Sequence, residues 1–240
     1  MNIYFLVEGN STEKKIYPQW LTYLIPELKR VQYYDQVQNN NYYLISGEGY
    51  PAILHDGLDN AVDKIQETNN YDYLVICIDA DEDPVNEKIT YVQQFIEEKN
   101  INLGKTKIKV IVQNRCIETW LLGNKRLFDS RQPLEIPLLD YVNYYDISQK
   151  DPEKMGCFNM RNHADFHFQY LREIFNAKNI VYSKKRPGEA TKQYYLEQLQ
   201  ERTRNYPTHL ETFQDFLRFC KMIRSRIVGN SDRLKPKEEL

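Results

Sequence analysis

Tyr73-Leu-Val-Ile-Cys-Ile-Asp79-Ala-Asp81-Glu82-Asp83 is the stretch that decides the fold. Its first six residues are β-branched, aromatic or otherwise apolar, the composition of a strand buried on both faces, and they run straight into closely spaced carboxylates. Acids crowded at the end of a buried strand repel one another. The pattern makes chemical sense where a cation of high charge density sits between them, and hard oxygens suit Mg²⁺ or Mn²⁺. A local alternative reads Asp81, Glu82 and Asp83 as a polar turn, with Asp83 capping the next helix and Pro84 at its first position. The two readings are compatible: Asp83 is placed to cap, while Asp79 and Asp81, two residues apart, face the same way in extended chain.

Working outward, Ile3-Tyr-Phe-Leu-Val7 is a short apolar strand that ends at Glu8-Gly9. Asn10-Ser-Thr-Glu13 then has helix-start chemistry, a side-chain oxygen to cap and a Glu three residues later to close a capping box. Ile16, Trp20, Leu21, Leu24, Ile25 and Leu28 follow at helical spacing to about Lys29. Gly9 suits a tight strand-to-helix turn and lets a ligand approach the backbone. Tyr42 to Ile45 reads as a second strand, Ala52 to Thr68 as a helix, Val85 to Lys99 as another, and Ile108-Lys-Val-Ile-Val112 as a fourth strand. Strands alternating with helices imply β-α-β crossovers and a mainly parallel four-stranded sheet. Ligands of such sheets sit outside the carboxyl ends of the strands, where the strand order switches. That rule gathers Glu8, Asp79 and Asp81, and it adds Glu118 from Gln113-Asn-Arg-Cys-Ile-Glu118-Thr-Trp-Leu-Leu122, so that four acids converge on one rim.

Composition bounds the rest. The 240 residues are enough to bury a sizeable core, and the formal charge of −2 is unevenly spread. Residues 178–237 carry 14 Lys and Arg against 6 Asp and Glu, whereas residues 1–177 carry 18 against 26. An acidic front that holds cations and a basic back that holds polyanions is one division of labour; solvated faces of amphipathic helices are the other explanation. The four cysteines, Cys77, Cys116, Cys157 and Cys220, are scattered without a Cys-x-x-Cys, which disfavours a disulfide framework and a structural zinc site. No run of about 18 apolar residues occurs and the N-terminus lacks a basic leader, so a cytoplasmic location is expected.

With Val7-Glu8-Gly9 at the first strand and Asp79-Ala80-Asp81 at the third, the chain resembles the Toprim domain, the metal-binding fold of type II topoisomerases, primases and several nucleases. Glu13 and Ile117-Glu118-Thr119-Trp120-Leu121-Leu122 make it similar to the small stand-alone Toprim proteins of bacterial defence islands, the RloB-like group, and to the Toprim half of the overcoming-lysogenization-defect nucleases. The resemblance covers about residues 3–123, with a looser echo beyond. It implies a Rossmann-like Toprim core and a nuclease site for two Mg²⁺ or Mn²⁺ ions bound by Glu8, Asp79, Asp81 and Glu118, with Glu13 and Asp83 as further candidate ligands. It also implies a lysine later in the chain that neutralises charge on the phosphate; Tyr182-Ser-Lys184-Lys185-Arg186 is the best source, and Lys184 and Lys185 stay open. In the lysogenization-defect nucleases the second Glu follows the first by four residues; here Glu13 follows Glu8 by five, which leaves a purely capping role open for Glu13.

On this reading residues 1–125 form the metal-binding core, 126–177 an irregular segment with one helix, 178–230 a basic helical region, and 231–240 a disordered tail. The irregular segment holds Tyr141, Tyr144 and Tyr145, which either stack on bases or fill a local mini-core. His163-Ala-Asp-Phe-His167 lacks the Glu of a zinc-protease motif. On the last helix Arg218, Lys221, Arg224 and Arg226 fall outside the apolar stripe, and with Lys184, Lys185 and Arg186 they are the candidate nucleic-acid contacts. No P-loop signature is present, so any ATPase or sensor would be a separate partner, in anti-phage defence as the resemblance implies. The expected activity is hydrolysis of RNA, tRNA included, or of DNA. Two other classes stand beside it: a non-catalytic module that binds nucleic acid or a partner ATPase, and a phospho-acceptor receiver, in which Glu118-Thr-Trp has no role.

Overall fold

The computed structural model describes residues 1–127 and 133–233. Five strands, β1 (Asn2–Val7), β2 (Lys29–Arg30), β3 (Asn41–Ser46), β4 (Tyr73–Asp79) and β5 (Lys107–Gln113), pair in parallel in the order β2-β3-β1-β4-β5. This is a Rossmann-like α/β sheet with helices on both faces, and its strand order switches between β1 and β4.

The sequence pattern predicts four strands. The fifth, β2, is two residues long and pairs Lys29 with Asn41 and Arg30 with Tyr42 at the sheet edge. It exists because helix α1 (Glu13–Leu24) stops five residues before Lys29, where the run of apolar spacing would carry it. Pro26 disfavours helical geometry at Ile25, whose backbone is indeed out of the helical region, and the freed chain lies along β3.

Alternation along the central strands sorts the core into two layers. Ile3, Phe5 and Val7 of β1, and Tyr73, Val75 and Cys77 of β4, face α1, α4 (Ile117–Leu121), α6 (His163–Asn176), α7 (Gln193–Asn205) and α8 (Glu211–Arg233). Tyr4, Leu6, Leu74, Ile76 and Ile78 face α2 (Asp56–Thr68) and α3 (Val85–Glu98). The C-terminal helices therefore close one face of the sheet. Trp20 of α1 packs edge-on against Phe213 with ring centroids 5.6 Å apart, and Trp120 of α4 stacks on Phe216 at 5.8 Å. The Trp20 indole N–H also donates to the carbonyl of Ala190 at 2.9 Å, tying α1 to the turn that follows residues 184–186.

The segment expected to be irregular holds a helix of its own, α5 (Leu138–Tyr144), besides α6. Tyr141 packs against Phe166 at 5.2 Å and Tyr170 at 5.5 Å, and Tyr170 donates to the carbonyl of Tyr145 at 3.0 Å, so these rings build a mini-core. The last helix continues to Arg233, past the expected start of the tail; residues 234–240, the remainder of that expectation, lie outside the described residues. Among the described residues no helix is long and apolar enough to cross a membrane.

Trp20→Ala is expected to destabilise the fold by about 3–5 kcal/mol, the cost of emptying a large buried site, and Trp20→Phe by about 1 kcal/mol for the lost hydrogen bond. Urea unfolding of both variants checks this; equal costs would mean that the indole N–H, and not the ring, holds the C-terminal layer in place.

Candidate active site

The two strands at the switch point end on acids. β1 runs into Glu8, whose N–H still donates to the carbonyl of Cys77 at 2.9 Å, and β4 ends on Asp79. The Glu8 carboxylate reaches across to accept the backbone N–H of Asp79 through Oε2 at 3.0 Å. One strand end thereby orients the other.

Around them is a cleft of about 290 Å³ lined by Glu8, Gly9, Asn10, Thr12, Glu13, Glu48, Asp79, Glu118 and Lys184, among others. Glu118 comes from α4, begun four residues after β5, and is 1% exposed. Its Oε1 accepts the phenol of Tyr182 at 3.1 Å. Burial, then the Glu118 charge, pushes that phenol well above its ordinary range, so Tyr182 stays the donor. Five carboxylates thus face one lysine. Burial pushes the Glu8 carboxyl up, with Asp81 adding to it and the Asp79 N–H and Lys88 opposing. Burial and then the charges of Glu13, Glu8 and Glu118 push Asp79 well above the carboxylate range, and its Oδ1 is buried with no hydrogen-bond partner. Glu13 is raised to about 7 by burial and by Glu118. Burial alone would lower the Lys184 ammonium, but Glu118, Asp79 and Glu13, with Cys116, outweigh it and raise the group. Lys184 is exposed at the mouth of the cleft, where water screens this attraction.

Glu13 does not close a capping box. Thr12 is the N-cap without a side-chain bond, and Glu13 opens the helix as its first residue. Its Oε1 instead accepts the N–H of Gly9 at 3.2 Å, while Asn10, the expected cap, receives Lys14 Nζ at 3.0 Å and donates to Glu48 at 2.6 Å. A Cβ at residue 9 would fall 1.9 Å from Glu13 Oε2, so glycine is what lets the carboxylate sit where it does. Glu-Gly is therefore a packing unit that makes room for a second carboxylate.

The acids after Asp79 depart from expectation. β4 stops at Asp79 and Asp81 takes a positive φ of 52°, so strand alternation does not align the two. Asp81 is not in the lining of the cleft; its backbone exchanges hydrogen bonds with Arg115, donating to the carbonyl at 3.0 Å and accepting from Nη1 at 2.9 Å. Asp83 makes no capping bond: Pro84 is the N-cap of α3, and Asp83 pairs with Lys88 at 3.1 Å. Lys88 is 2% exposed, sits 4.2 Å over the Tyr50 ring and opposes the rise of both Glu8 and Asp81. Glu82 accepts both the backbone N–H and the ring nitrogen of His163, pinning this turn to α6. His167 is buried on Thr119, 2.7 Å from its Oγ1, and burial holds its ring down at about 4.

Of the basic candidates, only Lys184 lines the carboxylate cleft. Lys185 and Arg186 face a separate groove on the far side of the turn. On α8, Arg218 pairs with Asp215 at 3.6 Å, Arg224 with Glu27 at 3.1 Å, and Arg226 binds the Tyr73 hydroxyl at the opposite end of β4 from Asp79; Lys221 is exposed on the same helix. These four are not brought to the carboxylates.

Glu48, Lys88, Arg115 and Tyr182 are site residues that the sequence pattern does not single out. Lys88 lies four residues before buried Val92 on the inner stripe of α3, which was its one visible signal.

Among the described residues no three His, Cys, Asp or Glu side chains are already gathered into a group that could hold a metal ion. The donor chemistry does fit a hard cation: several carboxylates held apart by their own donors, with an orphaned buried oxygen on Asp79.

No family model, curated protein or solved structure matches the chain.

Two outcomes are expected. Because folded Glu13 keeps a proton up to about 7 that the unfolded chain releases near 4.5, stability should fall as pH rises through that window. Glu13→Gln should flatten part of the fall; Glu8, Asp79 and Glu153, also raised by burial, have the same sign and leave a remainder, which His167, held down at about 4, opposes. Urea midpoints between pH 4.5 and 8 measure it, and an unchanged slope in Glu13→Gln would refute the raised carboxyl of Glu13. Gly9→Ala should displace the Glu13 carboxylate and lower affinity for Mn²⁺, read by titration calorimetry, about as much as Glu13→Gln does.

Proposed function

We propose that this chain is a divalent-metal-dependent nuclease that hydrolyses phosphodiester bonds of RNA or DNA, on a Toprim-like core. The observation that carries the reading is the cleft at the switch point, where Glu8, Glu13, Glu48, Asp79 and Glu118 share the lining with the cation Lys184, Lys88 acts on Glu8 from behind, and Asp79 Oδ1 has no partner. Acids crowded together at the cost of raised carboxyl groups are relieved by a cation, and a cation bound there would suit an anionic substrate. Support also comes from Glu8-Gly9 and Asp79-Ala80-Asp81 at the ends of adjacent parallel strands.

Glu8, Asp79 and Glu118, with Glu13 beside them, are the residues that would hold Mg²⁺ or Mn²⁺, most naturally as a pair. Bound there, such ions supply an attacking water of lowered pKa and stabilise charge on the leaving oxygen. The chain's own contribution is positional. The Asp79 N–H orients Glu8, the Gly9 N–H orients Glu13, and the Tyr182 hydroxyl orients Glu118. Lys184 lines the cleft and would meet negative charge developing on a phosphate, whereas Lys185 lines the neighbouring groove. The resemblance of the Glu8-Gly9 and Asp79-Ala80-Asp81 motifs to those of defence-island Toprim proteins extends the proposal to a bacterial anti-phage effector that acts beside a separate ATPase or sensor.

The test is cleavage of plasmid, single-stranded DNA and total tRNA with Mg²⁺ or Mn²⁺. Activity should vanish in EDTA and in Asp79→Ala. Lys184→Ala should lose about 10²-fold or more in kcat, the usual cost of removing one preorganised charge donor, while Lys185→Ala loses far less kcat. Mg²⁺ should also raise the thermal midpoint of the wild type but not of Asp79→Ala. Nucleic-acid binding with no turnover under any metal would overturn the reading in favour of a non-catalytic module.

A further inference from the structure

Next to the carboxylate cleft is a second groove of about 460 Å³, between the start of α1, the edge strand β2 and the turn at residues 183–188. Lys14, Lys15, Arg30, Lys185 and Arg186 line it, and no carboxylate or aromatic side chain does. Several cations elsewhere are ion-paired, among them Lys88 with Asp83, Lys99 with Asp59, Lys109 with Asp215 and Arg126 with Glu201. None of the five in the groove has a carboxylate partner among the described residues. Lys14 is bound to the Asn10 amide oxygen and Lys15 to the carbonyl of Lys185, which hold the cations in place without neutralising them.

Five like charges turned toward one groove repel one another, in a chain whose formal charge is −2. The arrangement is stabilised by a polyanion. Its position says which one. Thr12, Glu13 and Lys184 line the carboxylate cleft; Lys14 and Lys15, directly after Glu13, and Lys185, directly after Lys184, line the groove. The Thr12 hydroxyl donates to the carbonyl of Lys184 at 3.3 Å, so the segments form one wall shared by both. We propose that this groove is the track for the phosphodiester backbone of a nucleic-acid strand leading to the carboxylates. With no ring to stack on a base, it holds phosphates without reading sequence. The direction of the track rests on the nuclease reading, but the groove itself is tested without turnover.

The experiment is fluorescence anisotropy of a labelled single-stranded oligonucleotide of mixed sequence, in EDTA, titrated with the chain carrying Asp79→Asn. Adding Arg30→Gln and Lys185→Gln should weaken binding about tenfold at ~0.1 M salt and reduce the slope of log K against log salt by about 1.4, two phosphates at about 0.7 each. Arg30→Lys with Lys185→Arg should keep both affinity and slope, and thermal midpoints should match throughout because these side chains are exposed. Unchanged affinity and slope in the Gln pair overturns the track, as does failure of the parent to bind. Competition by poly-glutamate at equal charge concentration as effective as that by unlabelled oligonucleotide also overturns it, in favour of an acidic protein partner. The nuclease reading is separated by assaying cleavage alongside: binding lost in the Gln pair with no wild-type cleavage upholds the track and sinks the nuclease, whereas unchanged binding with metal-dependent cleavage does the reverse.

Discussion

The hydrogen bond from the Asp79 N–H to Glu8 Oε2 is the constraint on which the site depends. It joins the carboxyl ends of the two strands that flank the point where strand order reverses, and it holds there two acids that burial and mutual repulsion both disfavour. Such a pair survives only because each side chain is anchored in a rigid frame: β1 and β4 pair along their length and are covered on both faces. A central parallel sheet is strong enough to hold charge it would otherwise expel.

The second half of the chain completes the frame rather than standing apart from it. Phe213 and Phe216 fill the space between Trp20 and Trp120, so α8 locks together the helix that carries Glu13 and the helix that carries Glu118. The same return of the chain delivers Tyr182 to Glu118 and Lys184 to the cleft. Beyond Lys184 the turn changes side, and its next two cations belong to the basic groove. Acid and base are therefore separated by one residue of chain and by one wall.

Charge within the DxD turn is managed differently from charge in the cleft. Asp83 is neutralised by buried Lys88, Glu82 is engaged by His163, and Asp81 is held by its backbone to Arg115. These contacts reduce repulsion around the turn and leave Asp79 as the acid without a partner for Oδ1. The turn is thus a brace for the site, and α6 reaches it through His163.

The amino-acid sequence by itself determined the layers and the acids. Alternation in Ile3–Val7 and Tyr73–Ile78 set which side chains face which layer, and the positions of Glu8, Asp79 and Glu118 at or just beyond strand ends were enough to bring them to one rim, because parallel strands in register carry their ends to the same edge. Tertiary structure decided the rest. Whether Glu13 caps a helix or faces Asp79 depends on where the Gly9 N–H points; whether Lys184 or Lys185 enters the cleft depends on a turn placed by Trp20 and Ala190, some 170 residues apart. Lys88 reads as solvated from composition, since only a cluster of acids assembled from several strands makes its burial tolerable. The edge strand β2 and the groove beside it likewise have no local period to announce them. Periodicity records the face a residue takes, while partners distant in sequence decide which charges meet.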